Sequence, residues 1–428
     1  MPNYRDPLHS HLYPVYKVQT CSGQPLEVTT TSGQVTYVSP GGAAGDAFGR
    51  LRVSTPFTLF DSQHRYIEND KWDTQVSGSA SKSYLPNEST ILCTVTTASG
   101  DAVIRETKRV FPYQPGKSLL INTTVVCNAP KTNLRQRVGF FNVQNGVYFE
   151  TVNSTLNFVI RDYVTGVATE ERVAQSAWNG DQLNGLGESG FVLDPSKAQI
   201  IWMDIQWLGV GDVRVGFVIN GKTIICHTFH HANYTTATYM TTAVLPLRTE
   251  IVNIGTTASN STLKSICATV FSEGGYEGFN RKFNIALGST AKRLATAHTS
   301  YHLTSIRLNS SRLDSVIVPC NINAIITSAA RAVQWRVLWN STILGGTWVQ
   351  HPSTTIDYNI TATGVSGGTE IYGGYLLDGG QLDLNDINNF NFQLGKTLAG
   401  VSDIFTLAME PVDANTDVLA DVSWFEIV

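Results

Sequence analysis

The sequence is short of charge. Lys, Arg, Asp and Glu make up 15% of its 428 residues, well below the roughly 25% of an average soluble domain, and no long run of one sign occurs. With 30 basic and 34 acidic residues the formal charge is −4, so no electrostatic footprint for nucleic acid stands out and DNA binding is not expected. Cysteine is scarce too. Cys21, Cys93, Cys127, Cys226, Cys267 and Cys320 lie far apart with no C-x-x-C pair, which argues against a zinc ribbon or a dense disulfide framework and leaves them as buried thiols. No uninterrupted apolar run approaches ~18 residues, and "MPNYRDPLHSHLYPVYKVQ" lacks a basic stretch followed by an apolar one. The expectation is a soluble product made in a cytoplasm, without membrane insertion.

What is present favours strands. Apolar residues at 42% suffice for the cores of two or three domains, and Thr, Ser, Asn and Gly supply polar surface without charge. Residues 1–45 hold prolines, tyrosines and histidines with little period and end in Pro40, Gly41, Gly42 and Gly45, the pattern of an extended anchoring arm. From about Arg50 onward Val, Ile, Thr, Phe and Tyr alternate with polar residues, and amphipathic helical stretches are scarce. The rhythm breaks at "SEGGYEGFNRKFN", near residue 272. The fold expected is all-β: an arm over 1–45, a β-sandwich over 46–275 and a second, C-terminal β-sandwich over 276–428.

Two hairpins are specified by their turns. In "VGFFNVQNGVYFE" and "VRVGFVINGKTIICHTF" the pairs Asn145-Gly146 and Asn220-Gly221 stand between apolar strands, and both residue types tolerate the positive φ of a two-residue primed turn. The second turn sets Ile219 across from Lys222 and Phe217 across from Ile224. Val213, Val215, Phe217 and Ile219 then face the core, and Arg214 faces away beside His227.

Several motifs invite chemistry and do not sustain it. The glycines of "SPGGAAGDAFGRLRVSTPFTLFDSQ" precede a strand, whereas a phosphate loop needs them between a strand and a helix N-terminus. They read as a joint freeing the arm. Arg50 and Arg52 then alternate with core residues and point outward, towards solvent, a neighbouring carboxylate or an assembly partner. Gly116-Lys117-Ser118 copies the tail of a P-loop, but Phe111 stands where its first glycine belongs and a strand pattern follows. No cofactor is implied. His227 and His231 are four apart in a strand or its exit loop, with no Cys, Asp or Glu in the run, and read as hydrogen-bonding histidines at a sheet edge or subunit contact, not metal ligands. The E-x-D-x-x-E strand of laminarinase-like jelly rolls would fall on Trp202, Asp204 and Trp207, so the carboxylate pair of a glycosidase is missing there. "SAWNGDQLNGLGESGFVLD" is the candidate recognition loop: Trp178, Asn179, Asp181 and Asn184 offer an aromatic face with amide and carboxylate groups suited to a glycan or a partner. The competing reading is that Trp178 staples a long loop to the sandwich.

"AFGRLRVSTPFTLFDSQ", "FPYQPGKSLL", "WNGDQLNGLGESGFVLD" and "IQWLGVGDVRVGFVINGK", in this order over roughly residues 46–255, resemble a family of virion structural proteins of tailed bacteriophages, including marine and cyanobacterial phages, with relatives in large DNA viruses. The last third of the chain does not carry the resemblance. It implies a jelly-roll or lectin-like sandwich in a non-enzymatic particle component, and it brings no catalytic residues. An arm ahead of a rigid body suits a subunit that reaches over a neighbour, and open sheet edges call for closure by a symmetric copy. The expected function is therefore an external accessory of the virion, a capsid decoration or tail fibre protein, homo-oligomeric and packed against other capsid or tail proteins after assembly in the host cytoplasm. The alternative is a receptor-binding module for host surface glycans.

Overall fold

Alternation of apolar and polar side chains builds strands nearly throughout this computed structural model. It describes residues 46, 56–276, 281–328, 331–377 and 392–427, and the backbone alone of 381–384 and of the short strands Tyr4–Arg5, Leu12–Tyr13, Thr29–Thr31 and Gln34–Thr36. The arm expected over 1–45 falls mostly outside the described residues, as do Arg50 and Arg52. Among the described residues there is no α-helix; helical structure is confined to short 3-10 turns such as Gln175–Ala177. The all-β reading holds.

The first sandwich sets an eight-stranded antiparallel sheet against a seven-stranded one. The larger runs Lys222–Phe229, Val213–Ile219, Ala198–Ile205, Ser118–Val126, Ser261–Glu273, Thr90–Val95, Ser81–Leu85. Phe57–Gln63 pairs the second half of Ser261–Glu273, beyond the stretch held by Thr90–Val95. The smaller sheet runs Thr169–Ala174, Thr155–Asp162, Gly146–Val152, Leu134–Phe141, Leu247–Asn253, Ala102–Thr107, Trp72–Ser77. Every second residue points between the sheets: Val138, Phe140, Phe149 and Phe158 from one, and Ile201, Met203, Val215 and Phe217 from the other. Phe217 meets Phe149 at 5.3 Å and Phe158 at 5.8 Å between ring centres. Each fully buried side chain of this size contributes about 1.5–3 kcal/mol.

The two hairpins behave differently. Asn220 and Gly221 take φ of 53° and 74°, Ile219 faces Lys222 and Phe217 faces Ile224, as the Asn-Gly turn requires. Past Ile225 a β-bulge absorbs Cys226, so His227 lies opposite Val215 and Thr228 opposite Arg214. The expected Arg214–His227 neighbourhood is thereby corrected: the extra residue carries His227 round to the side of Phe229, whose ring it meets edge-on at 4.5 Å. Asn145-Gly146, by contrast, is not a two-residue turn. Asn142 Oδ1 accepts the N–H groups of Gln144 and Asn145, both at 2.8 Å, which closes a four-residue loop with Gly146 opposite Phe141. A side chain on Gly146 would place Cβ 2.1 Å from Cβ of Phe141, at a φ of +142°.

The second sandwich has its own core, around Leu303, Ile306, Val337, Phe405, Leu407 and Trp424, and buried members of the two cores are separated by the chain between Val270 and Leu294. Its sheets run Arg281–Ala286, Thr416–Ile427, Val316–Ile326, Gln381–Leu384, with Lys292–Leu294 also on Thr416–Ile427, and Val349–Gln350, Ile356–Asn359, Tyr301–Leu308, Ile404–Pro411, Ala332–Trp339, Thr369–Leu377. The sandwiches touch where Val110 packs on Val316 and Val318. There the Lys396 N–H donates to Lys108 O at 2.7 Å, Gln393 Nε2 to Val110 O at 2.8 Å, and the Leu398 N–H to the Asp73 carboxylate at 2.6 Å. Cys93, Cys127, Cys226 and Cys320 are buried free thiols, but Cys267 is exposed. The register between Ser118–Val126 and Ser261–Glu273 slips beside Cys267, and the slip leaves its side chain on the solvent side. Cys21 lies outside the described residues.

Gly146→Ala is expected to destabilise the first sandwich by about 1–3 kcal/mol, whereas Asn220→Gly stays within about 0.5 kcal/mol. Urea unfolding of both variants checks the contrast.

Candidate functional site

The four candidate contact residues come together in one loop, and the loop is a strap. Between Ala174, on one edge of the smaller sheet, and Ala198, it crosses the open side of the sandwich to the edge strand Lys222–Phe229. Gly180 N–H donates to Cys226 O at 2.9 Å and Asp181 N–H to Ile225 O at 3.1 Å. Asn179 extends this pairing with its side chain, donating to Thr228 O and accepting the Thr228 N–H, both at 2.8 Å. The approach is close enough that a Cβ on Gly180 would lie 2.4 Å from Ile225 O, so glycine is required there.

Trp178 fills the gap between the sheets. It is 3% exposed, its ring lies 4.8 Å from that of Phe158, and its Nε1–H donates to Val173 O at 3.1 Å. Its face is not available as a stacking platform. Asp181 accepts the N–H groups of Leu183 at 2.8 Å and Ser189 at 2.7 Å; burial pushes its carboxyl up, and these N–H donors outweigh burial to hold it below the ordinary range. Asn184 is committed locally as well, accepting from Leu186 N–H and donating to Gln182 Oε1, both at 2.9 Å.

The other sequence motifs resolve into separate structural roles. Asp204 is buried and bonded to Arg214, whose guanidinium lies 5.7 Å from the Trp202 ring centre, while Trp207 Nε1–H donates to Met240 O at 3.2 Å. Ser118 opens a strand, not a helix. Of the histidines, His227 Nδ1 accepts the Asn179 N–H at 3.2 Å, His230 pairs with Asp212 at 3.0 Å, and His231 Nδ1 bonds Gly211 O at 2.7 Å with its ring stacked on Tyr239. Among the described residues no three His, Cys, Asp or Glu side chains are placed to hold a metal ion.

The densest chemistry lies away from all of these motifs, on the outer face of the smaller sheet. Register places Glu250, Arg137 and Glu150 in one row across three strands, and Glu106, Arg248, Gly139, Tyr148, Val159 and Arg172 in the next. Glu150, fully buried, accepts Arg137 Nε at 2.9 Å and Arg172 Nε at 2.6 Å. Glu170 accepts Arg161 Nη2 at 2.6 Å and the Tyr148 hydroxyl at 2.8 Å, and also bonds Arg172. Arg248 bridges Glu106 at 2.6 Å and Glu250 at 2.7 Å. Gly139 keeps the space open: a Cβ there would sit 2.8 Å from that of Tyr148, whose ring has the guanidinium carbons of Arg137 and Arg161 each 5.2 Å from its centre.

A general acid must carry a proton near neutral pH, and this face works against that at Glu170. Burial raises its carboxyl, but the bonds from Arg161 and Tyr148 and the fields of Arg137 and Arg161 bring it down to about 2. Glu106 moves the other way, raised by burial against the pull of Arg248. The sequence signal for this lattice is charge on alternate strand residues, Arg135 with Arg137, Glu170 with Arg172 and Arg248 with Glu250. That signal is easily passed over, because such charges on a strand ordinarily face solvent singly.

Trp178→Ala is expected to cost ~3–5 kcal/mol and to lower the thermal midpoint by several degrees, read by calorimetry. The charged face predicts acid lability with a defined sign. Glu170 has a folded pKa of about 2 against an ordinary 4.5, so its stabilisation is complete above 4.5 and is lost as pH falls towards 2. His64 and His227, lowered by burial from 6.5 to about 4, lose theirs as pH falls from 6.5 towards 4. Glu170→Gln should cost about 2 kcal/mol at pH 7, discounted for its partial exposure, with the difference from wild type vanishing near pH 2 in urea titrations.

No protein-family model and no curated protein matches the chain. Solved structures align with parts of the chain at low identity. The carbohydrate recognition domain of Emp47p aligns over 51% of this chain and 98% of its own, at 13% identity and a TM-score of 0.32. The endo-1,3-beta-glucanase from Streptomyces sioyaensis covers 51% and 96%, at 10% identity and 0.33, and the CBM2 module of the evolved Dit of Lactobacillus casei BL23 phage J-1 covers 52% and 99%, at 7% and 0.34. Binding modules and an enzyme stand side by side among these alignments.

Proposed function

We propose that the chain is a structural, non-enzymatic component of a tailed-phage virion, an external decoration or fibre subunit that acts through oligomeric packing with copies of itself and with capsid or tail proteins, assembled in the host cytoplasm. The observation that carries this reading is the commitment of chemically capable side chains to the fold. Trp178, Asn179, Asp181 and Asn184 fasten a strap, Glu150 and Glu170 are tied to arginines, and His227 and His231 bond the backbone. A molecule so arranged contributes stiffness and surface.

The host-glycan alternative would have to rest on aromatics other than Trp178, such as Tyr234, which is 79% exposed. Deletion of residues 1–40 tests the proposal. The truncated protein should remain folded and soluble yet no longer co-purify with particles; normal incorporation would overturn the anchoring role of the arm. Loss of adsorption by assembled particles carrying Tyr234→Ala would favour the glycan reading instead.

A further inference from the structure

The side of the first sandwich away from the strap is closed by residues 64–71, which carry the chain from Phe57–Gln63 in one sheet to Trp72–Ser77 in the other. This connection is bonded at both ends. Asn69 N–H donates to His64 Nδ1 at 3.1 Å, the Tyr84 hydroxyl to His64 O at 2.7 Å, and Trp72 Nε1–H to Ser62 Oγ at 2.8 Å. From it Glu68 accepts Lys82 Nζ at 2.6 Å and Arg105 Nη1 at 2.7 Å.

Arg105 points between the sheets. It lies in one register row with Thr74 and Thr249, is 0% exposed, and has its guanidinium carbon 5.5 Å from the centre of the Trp72 ring. Nη1 is committed to Glu68 and, at 3.1 Å, to Thr74 Oγ1. Nε and Nη2 meet no hydrogen-bond partner among the described residues. Those two nitrogens form one edge of the guanidinium, a fork of side-by-side N–H groups, and leaving such donors unpaired in an interior is costly.

The local charge points the same way. Arg105 and Lys82 stand against the single carboxylate of Glu68. His64 adds no charge, because burial and then the field of Arg105 hold its imidazole down at about 4; with Nδ1 accepting the Asn69 N–H, its proton sits on Nε2. Cys93 is buried in the same field, and desolvation pushes its thiol up to about 11, so it too is neutral. One positive charge is left over. A water at the fork would accept both N–H groups but leave that charge, and its own two protons, unmatched. An anion answers both demands.

We propose that the Nε–Nη2 edge of Arg105 binds a small monovalent anion, a halide or a carboxylate the size of formate, enclosed between the sheets in the neighbourhood of His64 and Cys93. The fork chelates a halide or takes the two oxygens of the carboxylate in parallel bonds. Such an ion binds the folded chain and not the unfolded one, so it stabilises the first sandwich by mass action. The site stands independently of the virion reading.

The test is a thermal series on the full chain in which gluconate, too bulky to be enclosed, is replaced by chloride, bromide or formate at constant ionic strength. The midpoint should climb by about 2–4 °C as the site fills, and the anion with the lowest half-saturating concentration separates halide from carboxylate. Arg105→Gln should abolish the dependence. Glu68→Gln, which removes the one competing negative charge at a part-exposed position, should lower the half-saturating concentration several-fold. Crystals grown in bromide should show an anomalous peak at the Nε–Nη2 edge. A midpoint indifferent to the anion overturns the proposal, as does a dependence that persists in Arg105→Gln or a water at the fork in bromide. Should Arg105→Gln fail to fold, Glu68→Gln decides, since an unchanged or raised half-saturating concentration overturns it as well.

Discussion

Pairing of the backbone at the margins of a sheet is the constraint on which this structure turns. A chain with no α-helix among its described residues cannot satisfy N–H and C=O groups within one segment, so each sheet's last strand needs a partner, a cover or a deterrent. The strap over Lys222–Phe229 is the costliest of these answers, since it orders some twenty residues to close one edge. Its return is twofold. The backbone of the edge is paired, and Trp178 is driven between the sheets where the sandwich would otherwise gape.

The outer face of the smaller sheet obeys a related rule for charge. Ions buried without partners are prohibitive, but a lattice in which Glu150, Glu170 and Glu250 each meet two or more guanidiniums, all fixed by strand register, offsets much of the desolvation. Gly139, Phe141 and Tyr148 shape the floor on which the arginines lie. Such a lattice adds little net stability over an apolar face. It does impose one register on six strands, because a slip of one residue would send every charge into the core.

The strand pattern, the Asn220-Gly221 hairpin and the inward residues Val213, Val215 and Phe217 were legible because each rests on local rules: period two, positive φ at Asn-Gly, side-chain alternation. What escaped depends on distant pairing. The bulge at Cys226 and the slip beside Cys267 are set by neighbouring strands, and they redirected His227 and a thiol. Asn142 overrode the Asn145-Gly146 signal with its own side chain. The strap was legible as a glycine-rich loop around a tryptophan, but which edge it would cover was not, since Thr228 lies 49 residues beyond Asn179.

Ser261–Glu273 has a mechanical meaning. Its partner Phe57–Gln63 runs antiparallel, with Phe57 opposite Ser272, so the chain enters the first sandwich and leaves it for the second at the same corner. A pull between whatever precedes Phe57 and the second sandwich is therefore borne at that corner, and the rest of the first sandwich hangs outside the line of tension. Bonds arranged this way break in succession, from Phe57 inward, like a zip and not like a lap joint.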